Sequence, residues 1–388
     1  MKLLTRAGVA AALAAVTALG VGGIGASAAF ASGNHAPAGP STPETGAHHV
    51  VFVQTNNPAG NQIVAYHRAK GGQLSWVATY STGGLGGVLT GSVVDHLASQ
   101  GALTYDPSSR LLLAVNAGSN TVAVFAVRGD HLELRQVLPS GGQFPVSIAV
   151  HRDLVYVLNA EGGGDISGFR AVAHRLVPIS HSTRALGLDP TATPQFTNTP
   201  GQVAFSPDGS QLLVTTKANG NDVDVFGVRH GRPSAAPVVN SEPGAVPFAI
   251  SFDAAGHALI AQAGPNAVAS FSLSPSGTLT QLDSLLTGQA ATCWIAPAGA
   301  FFYASNAGSA SVSGLTSHRT GVLTAFGNTS TDPGTVDASA SAGGRYLYVQ
   351  TGGSGVVDGF RVGPTGSLTE VGSVTVPNSV GGEGIVAR

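Results

Sequence analysis

Two carboxylates stand where chemistry is possible: Asp337, in TVDASASA, and Glu383, in the closing GGEGIVAR. Brought close together, such groups share a proton and work as a general acid and base, or hold a hard cation such as Ca²⁺. Acceptance of hydrogen bonds from loop amides is the plainer use of the same pair. One histidine joins them as a candidate. His96, beside Asp95 in the run GGLGGVLTGSVVDHLASQ, titrates near neutrality and could assist as base or ligand, a solvated loop histidine being the bland alternative. Cys293 lies inside TCWIAP, which suits a buried inert thiol better than a nucleophile. No G-x-S-x-G, H-E-x-x-H, Walker loop or dinucleotide fingerprint is present.

The elements that would position these groups repeat. Seven related phrases end at Tyr66, Phe125, Phe169, Phe226, Phe271, Leu315 and Phe360, with a spacing close to 45 residues and two longer intervals. Each holds two apolar runs of period two joined by a Gly/Asn loop, which is hairpin chemistry. A short strand and turn precede most of them, as in GQVAFSPDGSQLLV, and a G-x-L phrase follows several. Four strands per repeat and seven repeats predict an all-β, seven-bladed β-propeller. Helical repeats of similar length are excluded by the glycine content and the period-two pattern.

Six repeats carry their own inner strand: GALTYDP, VSIAVHR, GQVAFSP, FAISFDA, TCWIAPA and VDASASA. The first repeat begins directly at HHVVFVQTNN and has none. EGIVAR at the far end aligns with GQVAFS, Ile385 on Val203 and Ala387 on Phe205. The last residues are therefore expected to complete blade one and close the ring. Closure makes blades seven and one neighbours and brings Asp337 and Glu383 together at the channel mouth. The two long intervals fall between blades one and two and between blades three and four, on the face where propeller ligands bind. Asp95 and His96 would reach over the mouth from the first. Asp95, Gln202, Lys217 and Glu161 are candidate ligand contacts.

Residues 1–31 have a charged start, an apolar middle and small-x-small exits at Ala26-Ser27-Ala28 and Ala29-Phe30-Ala31. This pattern predicts a secretory signal peptide, with an uncleaved anchor as the alternative. Residues 32–47 read as a flexible leader and 48–388 as the propeller. A secreted or extracytoplasmic monomer is expected, with no membrane span after signal cleavage. Its expected partner is a small-molecule ligand or an envelope component. A net charge of −2 gives no electrostatic case for nucleic acid. One cysteine excludes an internal disulfide, so packing must hold the fold.

The recurring YVxNxxSNTVxVF-like and GxxPxxxAFSPDG-like phrases resemble the lactonase family of seven-bladed propellers. That family takes in bacterial 6-phosphogluconolactonases and fungal carboxymuconate-lactonizing enzymes, and YVTN-type surface propellers are close in pattern. The resemblance implies chemistry on inner strands reading about P-R-H-I-A-F, plus an N-E-L hairpin. Here the arginine positions hold Gly101, Val146, Gly201, Phe248, Ala291, Val336 and Glu383; the histidine positions hold Ala102, Ser147, Gln202, Ala249, Thr292, Asp337 and Gly384. At the family's glutamate the chain reads Thr215-Thr216-Lys217-Ala218, with Glu161 the nearest substitute. A phosphorylated lactone would meet carboxylates where arginine forks are needed. An uncharged lactone, hydrolysed by water activated at Asp337 or Glu383, is the reaction the resemblance leaves open. A non-enzymatic binding propeller is the alternative.

Overall fold

The computed structural model describes residues 49–388; the expected signal peptide and leader lie outside them. Seven antiparallel sheets follow one another along the chain, each with four strand positions from the axis outward. The inner strands of blades two to seven are Leu103–Asp106, Pro145–His151, Val203–Phe205, Pro247–Phe252, Thr292–Ala298 and Thr335–Ala340. All six match the predicted phrases. In blades three and four the outermost position is divided between two short strands.

Burial follows strand position. The second strands VVFVQ, LLLAVN, QLLVT and YLYVQT are buried at every residue, because neighbouring blades cover both sheet faces. The outermost strands are mostly half-buried or exposed, LSWVATYS along its whole length. Tyrosines of the second strands also tie blades together. The hydroxyls of Tyr156, Tyr303 and Tyr348 donate to the carbonyls of Gly231, Gly366 and Gly72, each in a turn of the next blade. A buried tyrosine needs such a partner, and here the partner is the adjacent unit.

Blade one contains both ends of the described chain. Val50–Gln54 pairs outward with Gln62–Arg68 and inward with Ile385–Ala387, in the register Val51 to Ala387 and Val53 to Ile385. The strand Ile385–Ala387 sits at the same ring position as Val203–Phe205 in blade four, as the alignment requires. Among the described residues no helix is long and apolar enough to cross a membrane.

Removal of residues 385–388 leaves Val51–Val53 without an inner neighbour. The expected result is loss of the single cooperative thermal transition, followed by circular dichroism; an unchanged transition would show that the ring does not depend on this strand.

Candidate functional site

Inner strands slip register at their entrance in four blades, between Pro145 and Ser147, Pro247 and Ile250, Thr292 and Trp294, and Thr335 and Ala338. A bulge re-aims the residues inside it. Cys293 and Asp337 are two of these. Glu383 is delivered by glycines: Gly384 has φ +114°, and a Cβ there would come within 2.9 Å of Leu103. Only a glycine lets the backbone pass so close in that conformation.

The expected meeting of Asp337 and Glu383 occurs. Oε1 of Glu383 accepts from the amides of Gly101 at 3.0 Å and Ala102 at 3.4 Å. Asp337 accepts from Ala338 at 2.9 Å and from Ile385 at 3.3 Å. The second oxygen of Glu383 faces no N–H or O–H donor, and the Glu383 carboxyl is within hydrogen-bonding reach of Asp337. One proton shared between the two would satisfy both groups. Burial raises both carboxyls, and their mutual repulsion pushes Glu383 further up.

This pair is not open to solvent. Glu383 is 0% exposed and Asp337 6%. What covers them is the end of the first insertion, which enters the channel instead of arching over it. The Ser99 hydroxyl donates to Val146 O, and Gln100 N donates to Gly201 O. On the far side, the Gln100 amide exchanges two hydrogen bonds with Ile295, and Trp294 Nε1 donates to Ser99 O at 2.7 Å. Contacts from two successive residues with the inner strands of blades three and six, and with Gly201 just before that of blade four, place this segment on the axis. Asp95 fixes its fold, accepting from Leu97 N at 2.8 Å and Ser99 N at 2.9 Å.

Lys217 is the only cation found among these buried groups. It is 1% exposed, in a left-handed conformation (φ +51°) at the top of blade four. Its ammonium donates to Ala98 O and Phe196 O at 2.6 Å and to Thr199 Oγ1 at 3.2 Å. Ala98 belongs to the first insertion, Phe196 and Thr199 to the second, so one side chain binds both. The insertions also touch directly: Thr90 N donates to Gln195 Oε1 at 2.8 Å. Desolvation lowers Lys217 to about 7, with the Asp95 charge opposing, and burial raises Asp95. Cys293, buried beside them, is pushed up to about 12, which keeps the thiol protonated.

Several sequence expectations need correction. His96 does not assist the carboxylates: its ring packs against Gly381, Nδ1 is buried without a partner, and desolvation alone lowers it. Asp95 is buried in its own turn and does not line an open mouth. Lys217 ties backbone carbonyls and offers no hydrogen to a ligand. Gln202 bridges blades, its Oε1 accepting from Ile250 N at 2.6 Å, and Glu161 accepts from Gln195 at 2.9 Å. As for Ca²⁺, which takes six to eight oxygens, no group of three or more His, Cys, Asp or Glu among the described residues is arranged to hold an ion. Asp337 and Glu383 lie close enough to interact, and the hydrogen bonds seen at both come from backbone amides. Sequence reasoning missed Ser99, Gln100 and Trp294. Small residues just before an inner strand were the available signal, since only a narrow chain fits the axis.

The sequence model described as "Lactonase, 7-bladed beta-propeller" matches residues 87–381. No curated protein matches the sequence. Among solved structures, the periplasmic gluconolactonase PpgL of Pseudomonas aeruginosa is similar at 19% identity and TM-score 0.66, over 87% of this chain and 98% of that one. A protein from Lactobacillus plantarum is similar at 18% and TM-score 0.68, over 87% and 98%. The virginiamycin B lyase of Staphylococcus aureus is similar at 13% and TM-score 0.53, over 75% and 89%. At these identities the structures share the fold.

Two measurements check the centre. Carboxyls raised by burial stabilise fully below about pH 4, and that contribution is lost as pH rises through their elevated folded values. Lys217 runs the other way: its contribution is present above the free-lysine value and is lost as pH falls through about 7. The melting temperature is expected to rise by roughly 2–4 °C from pH 7.5 to pH 5, with a smaller gain in Glu383→Gln; an equal gain in the variant would exclude the shared proton. Lys217→Met strands three acceptors and the Asp95 charge, and should cost about 3–5 kcal/mol in denaturant unfolding.

Proposed function

The chain belongs to the lactonase family of seven-bladed β-propellers, and on that premise we propose that it is an exported binding propeller, not a lactone hydrolase. One observation carries this reading: Glu383, on the family's arginine position, is 0% exposed and bonded to the backbone of the segment filling the channel. A general base must come within about 3 Å of the proton it removes, directly or through one water. The amides of Gly101 and Ala102 occupy that approach. An anionic lactone is disfavoured further, because the cation of the centre is committed to Ala98, Phe196 and Thr199. The protein then acts through its outer surface, on a small ligand or an envelope component.

A second reading has its own support. Asp337 and Glu383, sharing a proton, combine an acid and a base in one place, as hydrolytic carboxyl pairs do, and PpgL is a structural relative named as a gluconolactonase. Hydrolysis of an uncharged lactone would require residues 95–101 to withdraw. Glucono-δ-lactone and 6-phosphogluconolactone, each incubated with the mature protein, separate the readings. The expected rate is that of spontaneous hydrolysis for both. Turnover of glucono-δ-lactone that disappears in a folded Glu383→Gln variant would establish the second reading and discard the first.

A further inference from the structure

On the face opposite the filled centre, blades seven and one enclose a cleft of about 480 Å³, lined by His49, Arg68, Lys70, Ser341, Ala342, Arg345 and Tyr346. The topology puts it there: Ser341 and Ala342 follow the far end of Thr335–Ala340, and Lys70 lies in the turn after Gln62–Arg68. We propose that this cleft binds a multivalent oxyanion, a phosphate-bearing or polycarboxylate ligand.

The wall contains no Asp or Glu. The whole chain has only 18 Lys and Arg residues, yet three of them, with His49, face this one space. Tyr346 organises the group. The guanidinium carbons of Arg68 and Arg345 lie 5.3 and 5.8 Å from its ring centroid, and its hydroxyl donates to Lys70 O. Arg68, 7% exposed, donates from Nη2 to Arg388 O at 3.1 Å, which fixes its position against the closing strand. Lys70 and Arg345 are exposed, and neither enters any ion pair seen among the described residues.

The exposed Lys70 and Arg345 bring two like charges to the wall of one cleft, and an anion between them removes their repulsion. The Arg345 guanidinium fork and the Lys70 point charge together suit phosphate or carboxylate oxygens, with Arg68 behind them. The volume is within the range of small-ligand clefts. The tie from Tyr346 to the Lys70 carbonyl fixes the backbone of the turn, and the stacking on Tyr346 places Arg345, which lowers the ordering that binding must impose. The inference is independent of whether the centre turns over a lactone.

The test is titration calorimetry of the mature protein with sodium tripolyphosphate and, separately, with citrate, against sodium chloride at matched ionic strength. Saturable binding to at least one is expected, weakening as salt is raised. Lys70→Glu/Arg345→Glu should weaken it by about tenfold or more, while melting as the parent does without anion; Lys70→Gln/Arg345→Gln serves if the charge reversal unfolds. Binding of tripolyphosphate alone identifies a phosphate ligand, and of citrate alone a polycarboxylate. Absence of saturable binding to either, or an affinity unchanged in a folded double variant, would overturn the proposal.

Discussion

An inner propeller strand has a neighbour on one side only, so the peptide groups on its axial edge need partners from elsewhere. In this protein the chain supplies many of them. The Gln100 amide takes both the N–H and the C=O of Ile295, doing with a side chain what a further strand would do with its backbone. Much of the centre follows from that substitution. A segment entering the axis must be thin, and Ala98, Ser99 and Gly101 are. Its own carbonyls then require donors, which Trp294 and Lys217 provide. A buried ammonium requires a nearby negative charge, and Asp95 lies within electrostatic reach. Each group is explained by the one before it.

The lactonase-family pattern makes the reversal of charge at the axis more pointed. By the sequence resemblance, Glu383 falls on an inner-strand position where that family carries arginine, and Lys217 near its glutamate. Their positions are not simply exchanged, because Lys217 reaches inward from a hairpin loop and spends its hydrogens on backbone oxygens. A cation engaged in this way stabilises two insertions against one scaffold.

The fold was legible because its information is local. Each hairpin is written within a few dozen residues, and seven copies allow the copies to correct one another, down to the alignment of Ile385 with Val203. Asp337 and Glu383 were paired correctly for the same reason, since ring closure makes their blades adjacent. The course of the first insertion was not legible. Nothing in GGLGGVLTGSVVDHLASQ has a period, and whether such a loop lies over a channel or enters it depends on partners far away in sequence, such as Trp294 and Lys217. His96 was misjudged with it: the adjacent Asp95 turns inward, whereas the imidazole packs on Gly381.

The closing strand sets an order of assembly. Blades two to seven are each made from one continuous stretch, so each can form as that stretch becomes available. Blade one cannot: Arg68 and the Arg388 carbonyl it holds are 320 positions apart. Contacts between such distant residues are slow to form, since loop-closure entropy is spent before the contact rewards it. During that interval Val50–Gln54, a β-branched and aromatic edge, has no inner neighbour, which is the condition under which strands pair with the wrong chain. In a chain that emerges with its amino-terminal end first, the earliest strand of the propeller is thus the last to be protected.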